Sequence, residues 1–199
     1  LFWTPPQQVA GYRNMDRIVP VREVRAGDQP LALPEKPVDL AAVAFPHEGG
    51  NMTVADYLEQ QSVAGLLVIK DGAIVYERYR RGNDRDTRWI SYSVAKSVVS
   101  MLMGAAIRDG YIASVDEKVT DYLPRLQGSA YDQATLRDIL QMASGVAWDE
   151  TYDDPQSDVN QAGWSTLALY EYLADKPRSG APGETFNYNT AETNLVGNV

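Results

Sequence analysis

Two side chains in this sequence, Ser93 and Lys96, have the types and spacing of a hydrolytic pair, and a third polar group, Tyr188, follows further on. A serine hydroxyl is a poor nucleophile near neutral pH. It needs a base within reach and donors for the oxyanion that forms on attack. In Ser93-Val-Ala-Lys96 the two polar residues are three apart at a predicted helix start, which puts them on one face, a turn apart. An ammonium accepts no proton; burial or a neighbouring positive centre is what turns a lysine into a base. The Ser93 backbone N–H falls in the first turn, where it lacks a helical partner and is free to face an oxyanion. Tyr188 supplies a phenol that can relay a proton to a leaving group. Ser-x-x-Lys by itself carries little, because roughly one match is expected by chance in a chain of this length. The ordinary alternatives are an N-cap serine beside a solvated lysine, and a half-buried tyrosine at the end of a turn.

The element carrying the tetrad sets it apart. From Ser93 to Arg108 the apolar residues nearly encircle a predicted helix, which Asp109-Gly110 ends. A helix apolar on most sides belongs inside a protein, so a polar Ser-x-x-Lys at its start calls for a reason. Before it, Ala64–Lys70 and Ala73–Tyr79 are β-rich runs around Asp71-Gly72, a pair that accepts the positive φ angles of a two-residue hairpin turn. Thr53 caps a predicted short helix to Gln61, and Thr135, with Asp138 three residues on, caps another to Met142. Asp149–Asp158 reads as an acidic loop with a solvated rim, Ser165–Ala174 as an amphipathic helix, and a further helix begins near Thr190. Residues 1–50 are Pro-rich and mostly aperiodic, read as an extended arm; residues 51–199 are read as part of one domain.

Composition narrows the function classes. With 199 residues and 44% hydrophobic content the chain can bury a real core. A net charge of −9 disfavours nucleic acid and anionic lipid as partners. No cysteine is present, which excludes disulfides, thiolate metal sites and cysteine nucleophiles. No stretch approaches the ~20 apolar residues of a membrane helix. His47, the one histidine, lies in the Pro-rich arm with nothing placing it near a serine turn, and no Gly-x-Ser-x-Gly elbow exists. Asp149, Thr151 and Asp153 mimic the start of a calcium loop, but Asp154 and Asn160 stand where glycine and glutamate are required.

These motifs together carry a resemblance. Ser93-Val-Ala-Lys96 opening an apolar helix resembles the first motif of serine β-lactamases and penicillin-binding proteins. Gly110–Pro124 and Leu136–Gly145 look like the stretches that follow it in class C β-lactamase-like proteins. The segment from Pro182-Gly183 through Tyr188-Asn-Thr190 to Leu195-Val-Gly197 resembles the second motif, which carries a catalytic tyrosine. Within that family the chain looks closest to carboxylesterases and 6-aminohexanoate-dimer hydrolases. Tyr152 matches a loop tyrosine that contacts substrate in those hydrolases. Thr190 stands where class C β-lactamases have an asparagine that holds the β-lactam side chain, with Asn189 or Asn194 as a substitute.

The resemblance implies an α/β (α+β) fold: an antiparallel sheet with flanking helices and an inserted helical subdomain. It implies Ser93 as nucleophile, Lys96 as base and Tyr188 as proton shuttle, no metal or organic cofactor, and a small ester, amide or β-lactam as substrate. Tyr152, Trp148, Asn189 and Thr190 are the substrate-contact candidates; Trp148, Tyr152 and Trp164 either line an acyl pocket or belong to the core. The third motif, a Lys-Thr-Gly or its His/Lys-x-Gly variant, and the strands around it are absent, so the chain is read as the N-terminal portion of a longer protein. The competing functions are a β-lactamase or D-Ala-D-Ala peptidase, and a non-catalytic descendant that binds peptidoglycan or serves as a scaffold. Oligomeric state is open, as is the compartment, bacterial periplasm or cytoplasm.

Overall fold

The structure, a computed structural model, describes residues 3–163 and 165–199. The chain divides into two compact units, residues 1–90 and 91–199.

In the first unit, helices α1 (Pro5–Tyr12) and α2 (Met15–Ile18) precede two antiparallel hairpins. Helix α1 is a departure from the expected extended arm. Thr4 is its N-cap, Gln7 completes a capping box, and the prolines sit at its first two positions, where a missing N–H costs nothing. Strands β1 (Ala44–His47) and β2 (Gly50–Thr53) pair around Glu48-Gly49, both at positive φ, so that hairpin straddles residue 50. Thr53 then caps α3 (Val54–Gln60) with Asp56 as its capping-box partner. Strands β3 (Gly65–Lys70) and β4 (Ala73–Tyr79) form the expected hairpin, and Asp71 and Gly72 take φ of 51° and 73°. Residues 34–38 run along β4, exchanging backbone hydrogen bonds with Ile74 and Val75. That strip covers one edge of an otherwise two-stranded sheet.

The second unit is helical. It runs through α4 (Val94–Arg108), α5 (Val119–Tyr122), two 3-10 turns at Pro124–Leu126 and Ala130–Gln133, α6 (Leu136–Leu140), α7 (Asp158–Gln161), α8 (Thr166–Ala174) and α9 (Thr190–Val196). Its core contains Val119, Leu126, Leu136, Leu173 and Leu195, each without solvent exposure. Burying each stabilises the unit by about 2–3 kcal/mol. Helices α4 and α6 both pack on α9, so the residues at the two helix starts are held by the same core.

Helix α4 is less enclosed than its sequence suggests. Met103 is buried and Val99, Ala106 and Ile107 pack on the core. The opposite stripe, Val94, Val98, Met101 and Leu102, is 55–72% exposed. The spacing 94, 98, 101, 102 is one helical face, so the encircling apolar pattern is two faces, and the elements of this unit cover one of them.

Candidate active site

Ser93 sits at the N-cap of α4 with φ −64° and ψ −8°, and its hydroxyl makes no capping bond. It is not spent on the helix, as an ordinary N-cap serine would be. Instead its Oγ accepts a hydrogen bond from Lys96 Nζ at 3.0 Å. The residue before it, Tyr92, has φ 44°, a left-handed conformation that is costly for a bulky L-residue. Such strain persists only where surrounding structure enforces it.

Tyr188 comes from the far end of the unit. Lys96 Nζ lies 5.1 Å from the centre of its ring. Partial burial raises the phenol's pKa, but hydrogen bonding to Ser93 and Lys96 and the Lys96 charge outweigh burial, so it stands below the ordinary tyrosine value. Ser93, Lys96 and Tyr188 are thus one cluster, although 92 residues separate Lys96 from Tyr188 in the chain. A cleft of about 180 Å³ beside Lys96 is walled by Ile139, Met142, Thr193 and Val196.

Backbone bonds bring Tyr188 there. Met142, with φ 51°, turns the chain after α6. Its carbonyl accepts the Asn187 N–H at 2.8 Å, and the Ala143 carbonyl accepts the Gly183 N–H at 2.7 Å. A side chain on Gly145, at φ 73°, would meet the Gly180 carbonyl oxygen at 2.2 Å, so this turn needs glycine to let the two segments touch.

The centre of the polar wall is Glu150, which the sequence reading passed over. Its carboxylate accepts hydrogen bonds from the Trp148 indole N–H, the Tyr152 hydroxyl at 2.7 Å, the Thr190 amide at 3.0 Å and the Thr190 hydroxyl. Burial alone would raise its pKa; the bonds from Thr190, Trp148 and Tyr152 prevail, and it stays below the ordinary carboxylate value. Burial, and then the Glu150 bond and charge, push the Tyr152 phenol up to about 12. A signal was present in the sequence: in an extended segment residues 148, 150 and 152 share one side, so a carboxylate lies between Trp148 and Tyr152.

The other substrate-contact candidates divide. Tyr152 is 44% exposed and stands beside Glu150 at the cluster. Thr190 is half-buried, with its hydroxyl and amide both turned to Glu150. Trp148 is core: it is 8% exposed and meets Tyr172 edge-on at 6.5 Å. Asn189 also departs from expectation. It is 1% exposed, and its Oδ1 caps α9 by accepting the Glu192 N–H at 3.2 Å. Its place at a helix start, not at an open wall, is the ordinary use of asparagine there. Asn194 donates to the Thr190 carbonyl along α9. Trp164 lies outside the described residues.

The acidic loop holding Tyr152 is anchored rather than merely solvated. Asp158 is 8% exposed and accepts from the Asp149 N–H at 2.8 Å, from Tyr172 and from Lys176 at 2.6 Å. Asn160 Nδ2 gathers the carbonyls of Thr151, Tyr152 and Asp154.

Residues 51–199 match the beta-lactamase family, and the chain belongs to it. It is 30% identical over 204 residues to the 6-aminohexanoate-dimer hydrolase of Paenarthrobacter ureafaciens, across 96% of this chain and 50% of that protein. Among solved structures it superposes on a Bacillus anthracis protein provisionally named a 6-aminohexanoate-dimer hydrolase, with a TM-score of 0.78 at 19% identity, over 94% of this chain and 52% of that one. A class C beta-lactamase solved with cefoxitin gives 0.54 at 21% identity, over 72% of this chain and 40% of that one. The fold is therefore of the β-lactamase type, as the motifs implied. The chain spans about half the length of the relatives it matches.

Proposed function

We propose that this protein is a serine hydrolase that cleaves esters or linear amides through an acyl-enzyme on Ser93. Lys96, reacting in its neutral amine form, takes the Ser93 hydroxyl proton as Oγ bonds to the carbonyl carbon. The Ser93 backbone N–H faces the developing oxyanion. Tyr188 gives its hydroxyl proton to the leaving oxygen or nitrogen as that bond breaks and is reprotonated by the Lys96 ammonium, which restores the neutral amine. Water then repeats the sequence on the acyl carbon and frees Ser93. The observation that carries this reading is the 3.0 Å contact between Lys96 Nζ and a Ser93 hydroxyl that caps nothing, with Tyr188 beside both.

Support for a linear substrate comes from the wall. Thr190 and Tyr152 are both bound to Glu150, Asn189 is buried and Asn194 donates to the Thr190 carbonyl, so neither candidate asparagine offers its amide to a β-lactam side chain. The named activity of the Paenarthrobacter relative points the same way. The test is a three-way comparison of turnover on p-nitrophenyl butyrate, a linear amide of 6-aminohexanoate and nitrocefin. Ester or linear-amide turnover with nitrocefin left unhydrolysed is expected; nitrocefin as the best of the three would replace this reading with a β-lactamase.

A further inference from the structure

A second polar cluster lies behind the site and takes no part in the chemistry above. Glu192, the third residue of α9, is 1% exposed. One carboxyl oxygen accepts the Ser144 hydroxyl, and that same hydroxyl oxygen accepts the Val146 N–H at 3.1 Å. The second Glu192 oxygen, the Tyr131 hydroxyl and the Asn189 amide nitrogen close no hydrogen bond of standard geometry, yet Tyr131 lies near enough to interact with Glu192, Asn189 and Ser144.

Among the described residues no positive charge acts on this carboxyl. The titratable groups acting on it are Asp138 from α6, which repels it, and Tyr131 from the 3-10 turn; the 144 turn contributes Ser144. Lys96 of α4 lines the separate cleft beside Thr193 and Val196. Glu192 is itself the one ionisable residue of α9. An isolated carboxylate in such a place is unfavourable, and the group keeps its proton instead. Burial first, and then Asp138, push it up to about 8, against the opposing Ser144 bond and the nearby Tyr131 hydroxyl.

The two segments that Glu192 joins are the ones that bring Glu150 and Tyr188 to the site. The turn at Ser144 leads into Trp148-Asp-Glu150. The start of α9 follows directly from Tyr188-Asn-Thr190, and the Asn189 cap bond ends on the Glu192 N–H. We propose that Glu192 is a positioning residue whose buried carboxyl locks the Ser144 turn to the start of α9 and so sets where Tyr188 stands against Ser93 and Lys96. This rests on the hydrolase reading for its consequence in catalysis, but not for its geometry.

Glu192→Gln keeps an acceptor for Ser144 and a donor toward Tyr131; Glu192→Ala keeps neither. Two readouts are needed on the purified protein. The first is the titration of Tyr188, followed by carbon-13 tyrosine NMR and assigned as the resonance missing in Tyr188→Phe. The second is the rate of fluorophosphonate acylation at Ser93. Expected are a Tyr188 titration below the ordinary phenol value in wild type and in Glu192→Gln, and its return to the ordinary value in Glu192→Ala. Acylation should fall about 10²-fold in Glu192→Ala, the scale of a misplacement of about 1 Å, and recover in Glu192→Gln. Above the Glu192 pKa, acylation in wild type should fall where Glu192→Gln does not. The proposal is overturned if Glu192→Ala leaves the Tyr188 titration unmoved, or if Glu192→Gln disturbs it as much as Glu192→Ala does. Should wild type fail to acylate at all, the hydrolase reading falls and the NMR titration alone still decides this one.

Discussion

Replacing Glu150 by glutamine tests whether one carboxylate organises the wall of the site. Its two oxygens have different tasks. One meets two fixed N–H donors, from the Trp148 indole and the Thr190 backbone; the other meets two hydroxyls, from Tyr152 and Thr190. A glutamine amide fits only with its oxygen toward the N–H pair, because the hydroxyls can rotate to become acceptors and the N–H groups cannot. All four bonds then survive in number but lose charge assistance, roughly 0.5–1 kcal/mol apiece. Tyr152 is 44% exposed and its share is discounted, which leaves about 2 kcal/mol. At about 2–4 °C per kcal/mol, Glu150→Gln should lower the melting temperature by about 4–8 °C. The Tyr152 phenol, pushed up to about 12 by burial first and then by Glu150, should fall part of the way once the carboxylate charge is gone, because the burial remains. Differential scanning calorimetry and carbon-13 tyrosine NMR read the two effects. Ester hydrolysis should show KM rising more than kcat falls, because Thr190 and Tyr152 loosen while Ser93 and Lys96 do not. Melting unchanged to about 1 °C together with an unmoved Tyr152 titration would refute the reasoning.

Lys96→Ala should slow Ser93 acylation by about 10³-fold and Tyr188→Phe by about 10²-fold, within the range for a positioned general base or acid; burst kinetics with a p-nitrophenyl ester separates the steps. Asp158→Ala leaves Lys176, Tyr172 and the Asp149 amide without their partner and should cost about 2–4 kcal/mol in a urea titration. Burial works to raise the Asp158 pKa, yet Lys176 and Tyr172 hold it below 3.8, so its contribution is complete above that pH and is lost on further acidification. Glu192 acts with the opposite sign. Its pKa rises on folding from 4.5 to about 8, so the folded state binds more protons between those values, and stability should decline from about pH 4.5 to pH 8 and then level off. In Glu192→Gln that decline should vanish from the pH dependence of the melting temperature.

The residues best read from sequence were those whose local pattern and final geometry coincide. Ser93 and Lys96 meet within one helical turn, and Thr53 and Thr135 cap the helices their capping boxes announce. Asp71-Gly72 turns its hairpin because only local φ preferences decide it. Features decided by distant partners were harder to see. Pro5 and Pro6 look like helix breakers until Thr4 is recognised as the cap before them. Asn189 and Trp148 have side chains suited to a ligand, yet tertiary packing turns one into a helix cap and the other into core. Glu192 was indistinguishable from a solvated acid, because its partner Ser144 lies 48 residues away; the local spacing of Glu150 with Trp148 and Tyr152 did not reveal Thr190, 40 residues away. The two-faced character of α4 was hidden by composition: apolar residues all round do not say which side the rest of the unit covers.

The central claim is that Ser93 is the nucleophile. Incubation with a fluorophosphonate probe, followed by peptide mass spectrometry, tests it most directly. A single adduct on Ser93, absent in Ser93→Ala while the variant keeps its melting temperature, is the predicted result. No adduct on the native protein, or one that persists in Ser93→Ala, would contradict it.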